Sequence, residues 1–260
     1  MSALRGMDRA MRVYFAGGIG QYRYVADEVK KFRPYMLYSY YYADKGDVEP
    51  FLDYVDDFML DSGTFSYAYG REGATASEAD LHAYLRRYAK WINKNHIDKF
   101  FELDVDDIVG YKRVLEYRDE LHDLTGRVSI PVWHIPRGGD EFLKMCEEFP
   151  YVAIGGIASK DIEKCQYPVF TKMIKEAHRR GAKIHGLGFT SMEGMERYHF
   201  DSVDSSAWAT GSYYGHVDRF DGRRIVRVKK PKGSRVKTVE TAKHNFREWV
   251  KFQRYAEVKL

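Results

Sequence analysis

An α/β barrel of eight parallel strands, the (β/α)8 or TIM architecture, is the fold that this chain of 260 residues predicts. Three observations lead there. Eight short apolar runs recur along the sequence, helix-like segments separate most of them, and no change in composition marks a second regime. The runs cover residues 12–16, 35–40, 58–60, 99–103, 129–133, 151–154, 182–186 and 198–200. An open doubly wound sheet is the alternative, because some crossovers are short: residues 190–197 leave room for only two turns of helix.

The clearest helix is 77–95, where Leu81, Tyr84, Leu85, Tyr88 and Ile92 recur at helical spacing behind Ser77, with Asp80 three residues later as a capping partner. Residues 106–124, 140–148 and 161–180 read the same way, the last stopped by Gly181. The barrel is expected to span 1–210. A basic C-terminal extension, 211–260, follows in the same domain. It holds a Gly- and Tyr-rich stretch at 211–222, a basic stretch at 223–237, and a final helix at 239–257 that turns Val239, Ala242, Phe246, Trp249 and Val250 toward the barrel.

Composition narrows the function classes. With 44% hydrophobic residues the chain can bury a full core. Two cysteines, Cys146 and Cys165, build neither a disulfide framework nor a cysteine zinc knot. No apolar run is long enough for a membrane span and no secretory leader is visible, so a cytoplasmic protein is expected, in the host cytoplasm if a phage encodes it. Net charge is +4, unevenly spread. From Arg219 onward there are 14 Lys and Arg against 4 Asp and Glu, which leaves 28 against 34 in residues 1–218. Arg223, Arg224, Arg227, Lys229, Lys230, Lys232, Arg235 and Lys237 thus form a candidate contact for a nucleic-acid backbone, although a solvated basic stretch would read identically.

In a barrel of this kind chemistry gathers at the C-terminal ends of the strands. Read in order, those tips carry Gly17-Gly18, Tyr40-Tyr41-Tyr42, Asp61-Ser62-Gly63, Asp104-Val105-Asp106-Asp107, Trp133-His134, Gly155-Gly156-Ile157, Gly186-Leu187-Gly188 and Asp201-Ser202-Val203-Asp204. Several carboxylates in one pocket push their pKa values apart and divide into a charged partner and a proton carrier. That suits displacement at a sugar carbon, with one acid attacking C1′ and another serving the leaving base. Glycines allow close approach of a flat ligand, and the many tyrosines, 21 in all, offer stacking faces.

The motif Asp61-Ser62-Gly63-Thr64-Phe65-Ser66 resembles the D-S-G-G-F-Q motif of tRNA-guanine transglycosylases. Phe101-Glu102-Leu103-Asp104 is similar to their F-D-E strand, Ala153-Ile154-Gly155-Gly156-Ile157 to their glycine-pair segment, His185-Gly186-Leu187-Gly188 to their G-V/L-G strand, and Phe200-Asp201-Ser202-Val203 to the F-D-C-V that carries their nucleophile. The five segments keep the family's order across residues 12–204. The resemblance implies that Asp201 is the nucleophile and Asp61 the general acid/base. It further implies that Asp104, Ser62, Gly63, His134, Gly155, Gly156, Gly186 and Gly188 bind the base, with His134 standing where the family has Gln. No metal and no organic cofactor is implied. The family's zinc subdomain is missing, and Ser205-Ser206-Ala207-Trp208 replaces its P-T-R, which looks like the compact DpdA-type DNA transglycosylases, including those of bacteriophages. The expected activity is therefore exchange of guanine in DNA for a 7-deazaguanine such as preQ0, with guanine released. The alternatives are the tRNA reaction, a metal-dependent barrel hydrolase using Asp61, His134, His185 and Asp201, and a non-catalytic nucleic-acid-binding barrel.

Overall fold

The computed structural model describes residues 10–17, 19–44, 48–69, 76–229 and 237–260. Seven parallel strands form one curled sheet: β1 (Arg12–Gly17), β2 (Tyr35–Ser39), β3 (Asp57–Asp61), β4 (Val132–Trp133), β5 (Tyr151–Ile154), β6 (Lys183–Gly186) and β7 (Ser202–Ser205). Their order is β3-β2-β1-β7-β6-β5-β4, so the first and last strands pair at the centre and β3 and β4 are the edges. Residues 99–102 touch both edges through isolated bridges, Leu60 with Phe100 and Phe101 with Ile130. The Leu60 amide donates to the Lys99 carbonyl (2.9 Å), and the Ile130 amide to the Phe100 carbonyl (2.8 Å). The apolar run at 99–103 is thus a bridging segment rather than a regular strand. It ends early because the chain turns at Leu103–Val105 into a short helix, Asp106–Val109.

Alternation along the strands sorts side chains onto two faces. Tyr14, Leu37, Met59, Phe101, Val132 and Ala153 fill the concave interior as one buried cluster. A larger cluster on the other face packs the sheet against the helices. Those of seven residues or more, among the described residues, are α1 (Ala26–Phe32), α2 (Glu78–Lys94), α3 (Tyr111–Thr125), α4 (Gly138–Glu148), α5 (Val169–Arg179), α6 (Met192–Tyr198), α7 (Ala207–Tyr214) and α8 (Thr238–Lys259). The expected capping box at Ser77 and Asp80 starts α2, and all five of its periodic residues are buried. Residues 106–124 form two helices because Gly110, at φ 77° and ψ 155°, breaks the run. The 161–180 helix begins only at Val169.

Two expectations about the C-terminal third change. Residues 198–200 are not a strand: Tyr198 ends α6, His199 takes a left-handed φ of 54° as its cap, and Phe200 packs against Phe170 and Phe189. The strand is the next segment, Ser202–Ser205. The extension folds as an antiparallel hairpin, β8 (His216–Phe220) with β9 (Ile225–Lys229), followed by α8. Ala242, Phe246, Trp249 and Val250 are buried as expected, but Val239 sits in the first turn and is exposed. Gln253 ties α8 to the sheet by donating to the Val13 carbonyl at 2.6 Å.

Glu102 points away from the concave interior into a buried ion cluster. Its carboxylate accepts from Arg118 Nε (2.6 Å), Arg137 Nη1 (2.7 Å) and the Val132 amide (2.9 Å), and Arg137 also clasps Asp106. Removing one partner of such a set strands the others without water. Glu102→Gln is expected to cost about 3 kcal/mol or more in urea denaturation. A loss under about 1 kcal/mol would mean that solvent already reaches the cluster.

Candidate active site at the C-terminal strand ends

Asp61 is the last residue of β3, and the turn behind it is fixed by Gly63. The Gly63 amide donates to Asp61 Oδ2 at 3.0 Å. Gly63 has φ 68°, and a Cβ there would stand 2.4 Å from Ser39 Oγ and 2.7 Å from the Tyr41 amide, so no other residue fits this turn unstrained. Tyr84 on α2 donates to the Ser62 carbonyl at 2.6 Å, and the Tyr88 hydroxyl lies between the carbonyls of Leu60 (3.1 Å) and Phe101 (3.0 Å). The helix thereby holds β3 beside residues 99–102, and with them Asp61 beside Asp104.

Asp104 is gripped from two sides. Thr64 Oγ1 donates to its Oδ1 at 3.2 Å, and His134 Nε2 stands 3.3 Å from its Oδ2. Burial works against a charged imidazole, but the hydrogen bond and charge of Asp104 outweigh it, and the His134 pKa is raised. Ser62 is fully buried and reaches only Thr64 Oγ1 (3.0 Å), so it supports Asp104 through Thr64 rather than meeting a ligand itself.

The acid that β7 brings to this rim is Asp204. Its neighbour across the β1 ladder is Tyr14, and its Oδ1 accepts from the Gly188 amide (2.6 Å) and lies 3.2 Å from His185 Nε2. Asp201 stands before the strand begins, at the opposite end of the sheet. There its carbonyl accepts from the Arg12 amide (3.0 Å), and its side chain joins His178 Nε2 (2.7 Å) to the Ile184 amide (2.8 Å). It lines a separate cavity of about 440 Å³ with Arg12, Lys99, Tyr151 and His178. The expected nucleophile is therefore a structural tie at the far end, and the meeting of Asp61, Asp104 and Asp201 does not occur.

Asp61, Asp104 and Asp204 share one field. Burial, then the charges of Asp104 and Asp204, push the Asp61 carboxyl from its ordinary 3.8 up to about 7, against the opposing pull of the Gly63 amide. Asp61 is thus poised to hold or release a proton near neutrality.

The glycines divide differently from the expectation. The Gly155 amide is committed to the Trp133 carbonyl (2.9 Å), and a Cβ on Gly155 would lie 2.4 Å from the His134 ring, so this glycine makes room for the imidazole. A Cβ on Gly186 would press against Phe189 and Phe200 of the outer core, at 3.1 Å from each. Gly156 and Gly188 both take positive φ in the loops after β5 and β6, and the Gly188 amide is spent on Asp204. Two cavities flank the acids: about 400 Å³ beside Asp106, His134, Arg137 and Asp161, and about 660 Å³ beside Ile157, Lys160, Lys164, Tyr167 and Gly188. Tyr42 and Phe65, in the short helices after β2 and β3, expose their rings on the same side, Phe65 by 70%.

The basic extension is partly neutralised. Arg223 makes a two-pronged pair with Glu196 on α6 (2.7 Å each), Arg227 meets Asp218 (3.3 Å), and Lys237 meets Glu240 (3.2 Å). Arg224 is exposed at the hairpin tip. Lys230, Lys232 and Arg235 lie outside the described residues, as does the side chain of Lys229. Among the described residues no three His, Cys, Asp or Glu side chains are grouped to hold a metal ion, and no helix is long and apolar enough to cross a membrane. Both cysteine thiols are free.

Sequence reasoning gave Asp204, His185 and Thr64 no part in base exchange. Asp204 was within the tip that the sequence marks, but an apolar run at 198–200 and the motif at 200–203 drew the role to Asp201. The usable signal was the polar alternation Ser202, Asp204, which is what a strand facing a polar interior looks like.

No family model matches the chain, and neither does any curated protein. Among solved structures it is similar to a protein from Coccidioides immitis described as a fructose-1,6-biphosphate aldolase, with a TM-score of 0.55 and 11% identity over 96% of this chain and 88% of that one. At that identity the likeness concerns the fold: an α/β protein with a curled parallel sheet of the TIM-like kind.

Raising the pKa of Asp61 has a cost in stability. The folded state keeps a proton that the unfolded chain releases between about pH 4 and 7, so stability falls as pH rises through that window. Asp61→Asn is expected to leave the melting temperature near wild type at about pH 4 and to raise it by about 5–10 °C at about pH 8. A pH-independent change in thermal melts would overturn the assigned proton.

Proposed function

We propose that this chain is a guanine transglycosylase acting on a nucleic acid, with Asp204 rather than Asp201 as the nucleophile. The observation that supports it is the set of three acids on one rim, one of them pushed up to about 7 by burial and then by the charges of the other two. In this reading a flipped-out guanosine enters between the flanking cavities, with exposed aromatic rings such as Phe65 meeting bases on the way in. Asp204 attacks C1′ while the C1′–N9 bond breaks, and protonated Asp61 gives its proton to the departing guanine. The incoming 7-deazaguanine returns a proton to the Asp61 carboxylate, its N9 takes C1′, and the Asp204 carboxylate is released. Asp104, steadied by Thr64 and His134, accepts from the amidine edge of the purine. The sequence departures from the tRNA enzymes favour DNA as the polymer and a preQ0-like base as the donor. Of the basic extension, Arg224 at the hairpin tip is the described side chain assigned to a phosphate in this reading. In the same reading residues 99–102 stand at the fourth strand position, and their bridges to β3 and Ile130 complete an eight-membered ring.

The test incubates the protein with DNA, with tRNA and with preQ0, then digests each polymer and weighs its nucleosides. Asp204→Asn is expected to abolish both exchange and the covalent protein–DNA adduct, whereas Asp201→Asn, which keeps an acceptor for the Ile184 amide, is expected to retain them. The reverse pattern would return the nucleophile to Asp201, and a deazapurine found only in tRNA would change the polymer.

A further inference from the structure

We infer that His185 is a positioning residue that fixes which oxygen of Asp204 meets the substrate, and that Ser202 and Tyr151 set its tautomer. This rests on the transglycosylase reading of the same rim. His185 is fully buried in the concave interior, its ring 5.4 Å from that of Phe101 and 6.0 Å from that of Tyr14. Both nitrogens are engaged: Nε2 at 3.2 Å from Asp204 Oδ1, and Nδ1 at 2.5 Å from Ser202 Oγ, which lies 2.5 Å from the Tyr151 hydroxyl.

The direction of this file follows from its end. Asp204 Oδ1 accepts the Gly188 amide and is therefore an acceptor oxygen, so Nε2 carries the hydrogen and Nδ1 keeps its lone pair. Ser202 then donates to Nδ1 and accepts from Tyr151, and every donor in the file points toward the rim. Asp204 Oδ1 receives two hydrogens, from His185 and from the Gly188 amide, and is held back as the stationary oxygen. Oδ2 is left as the one that attacks C1′. A carboxylate free to rotate would present either oxygen and lose this alignment.

Two measurements test it. Nitrogen-15 NMR of histidine-labelled protein near neutral pH, with the His185 signal assigned from its absence in His185→Gln, is expected to show a hydrogen on Nε2 and a bare Nδ1. A hydrogen on Nδ1, alone or in addition, overturns the inference. In exchange kinetics His185→Phe is expected to lower kcat about 10- to 100-fold with KM for the polymer within about twofold. His185→Gln, whose amide can still donate to Oδ1, is expected to recover most of the rate. Equal losses in the two variants, or a loss confined to KM, overturn it. Should His185→Phe fail to fold, the Gln variant and the tautomer still decide. If the wild-type protein exchanges no base in any polymer, the transglycosylase reading falls, and the tautomer alone then decides how Asp204 is held.

Discussion

The parallel ladder between β1 and β7 is the constraint on which the site depends. It pairs Arg12 with Ser202 and Tyr14 with Asp204, and so decides which acid of the 201–204 segment reaches the C-terminal rim. Three residues of extended strand span about 10 Å. Asp201 and Asp204, neighbours in sequence, therefore serve opposite ends of the sheet: one ties the starts of β1 and β6 together, the other meets Asp61 across the mouth. Once that register is set, the inward positions of β7 are Ser202 and Asp204, and the polar file through His185 follows from it.

The second governing feature is electrostatic. Three carboxylates on one rim repel, and the protein offsets this unevenly. Asp104 has Thr64 and a histidine whose pKa it raises; Asp204 has the Gly188 amide and His185; Asp61 has the Gly63 amide, and burial works against its charged form. For Asp61, burial and the charges of its two neighbours together raise the carboxyl pKa to about 7. In the proposed reading, a raised Asp61 serves as the proton carrier beside a nucleophilic Asp204, the division that displacement at a sugar carbon requires.

At the other end of the sheet the charges cancel locally. Asp57 takes Arg12, Lys99 (2.7 Å) and the Tyr14 hydroxyl (2.7 Å), and Glu257 of α8 takes the Tyr35 hydroxyl. There Arg12, Lys99 and Asp201, around the cavity of about 440 Å³, are paired within the fold, in contrast to the rim, where like charges are left facing one another. In the proposed reading, that difference between the two ends favours the rim for the ligand.

Local signals were legible in the sequence wherever local physics set the outcome. The capping box at Ser77, the buried stripe of α2, the β3 run ending in Asp61 and the alternation of strands with helices all follow from short-range periodicity and side-chain chemistry. The hydrophobic pattern failed at 99–103, where pairing is limited to bridges, and at 198–205, where the strand facing the interior is polar because His185 supplies its hydrogen bonds. Which glycine amides were free also lay beyond it, since the Gly155 amide is consumed by a strand partner distant in sequence. Sequence alone determined that carboxylates would end several parallel strands, because strand breaks and turn residues are written locally. Tertiary structure alone decided which carboxylates meet, because register is a contact between segments nearly two hundred residues apart, and a shift of three positions carries a side chain from one end of the sheet toward the other.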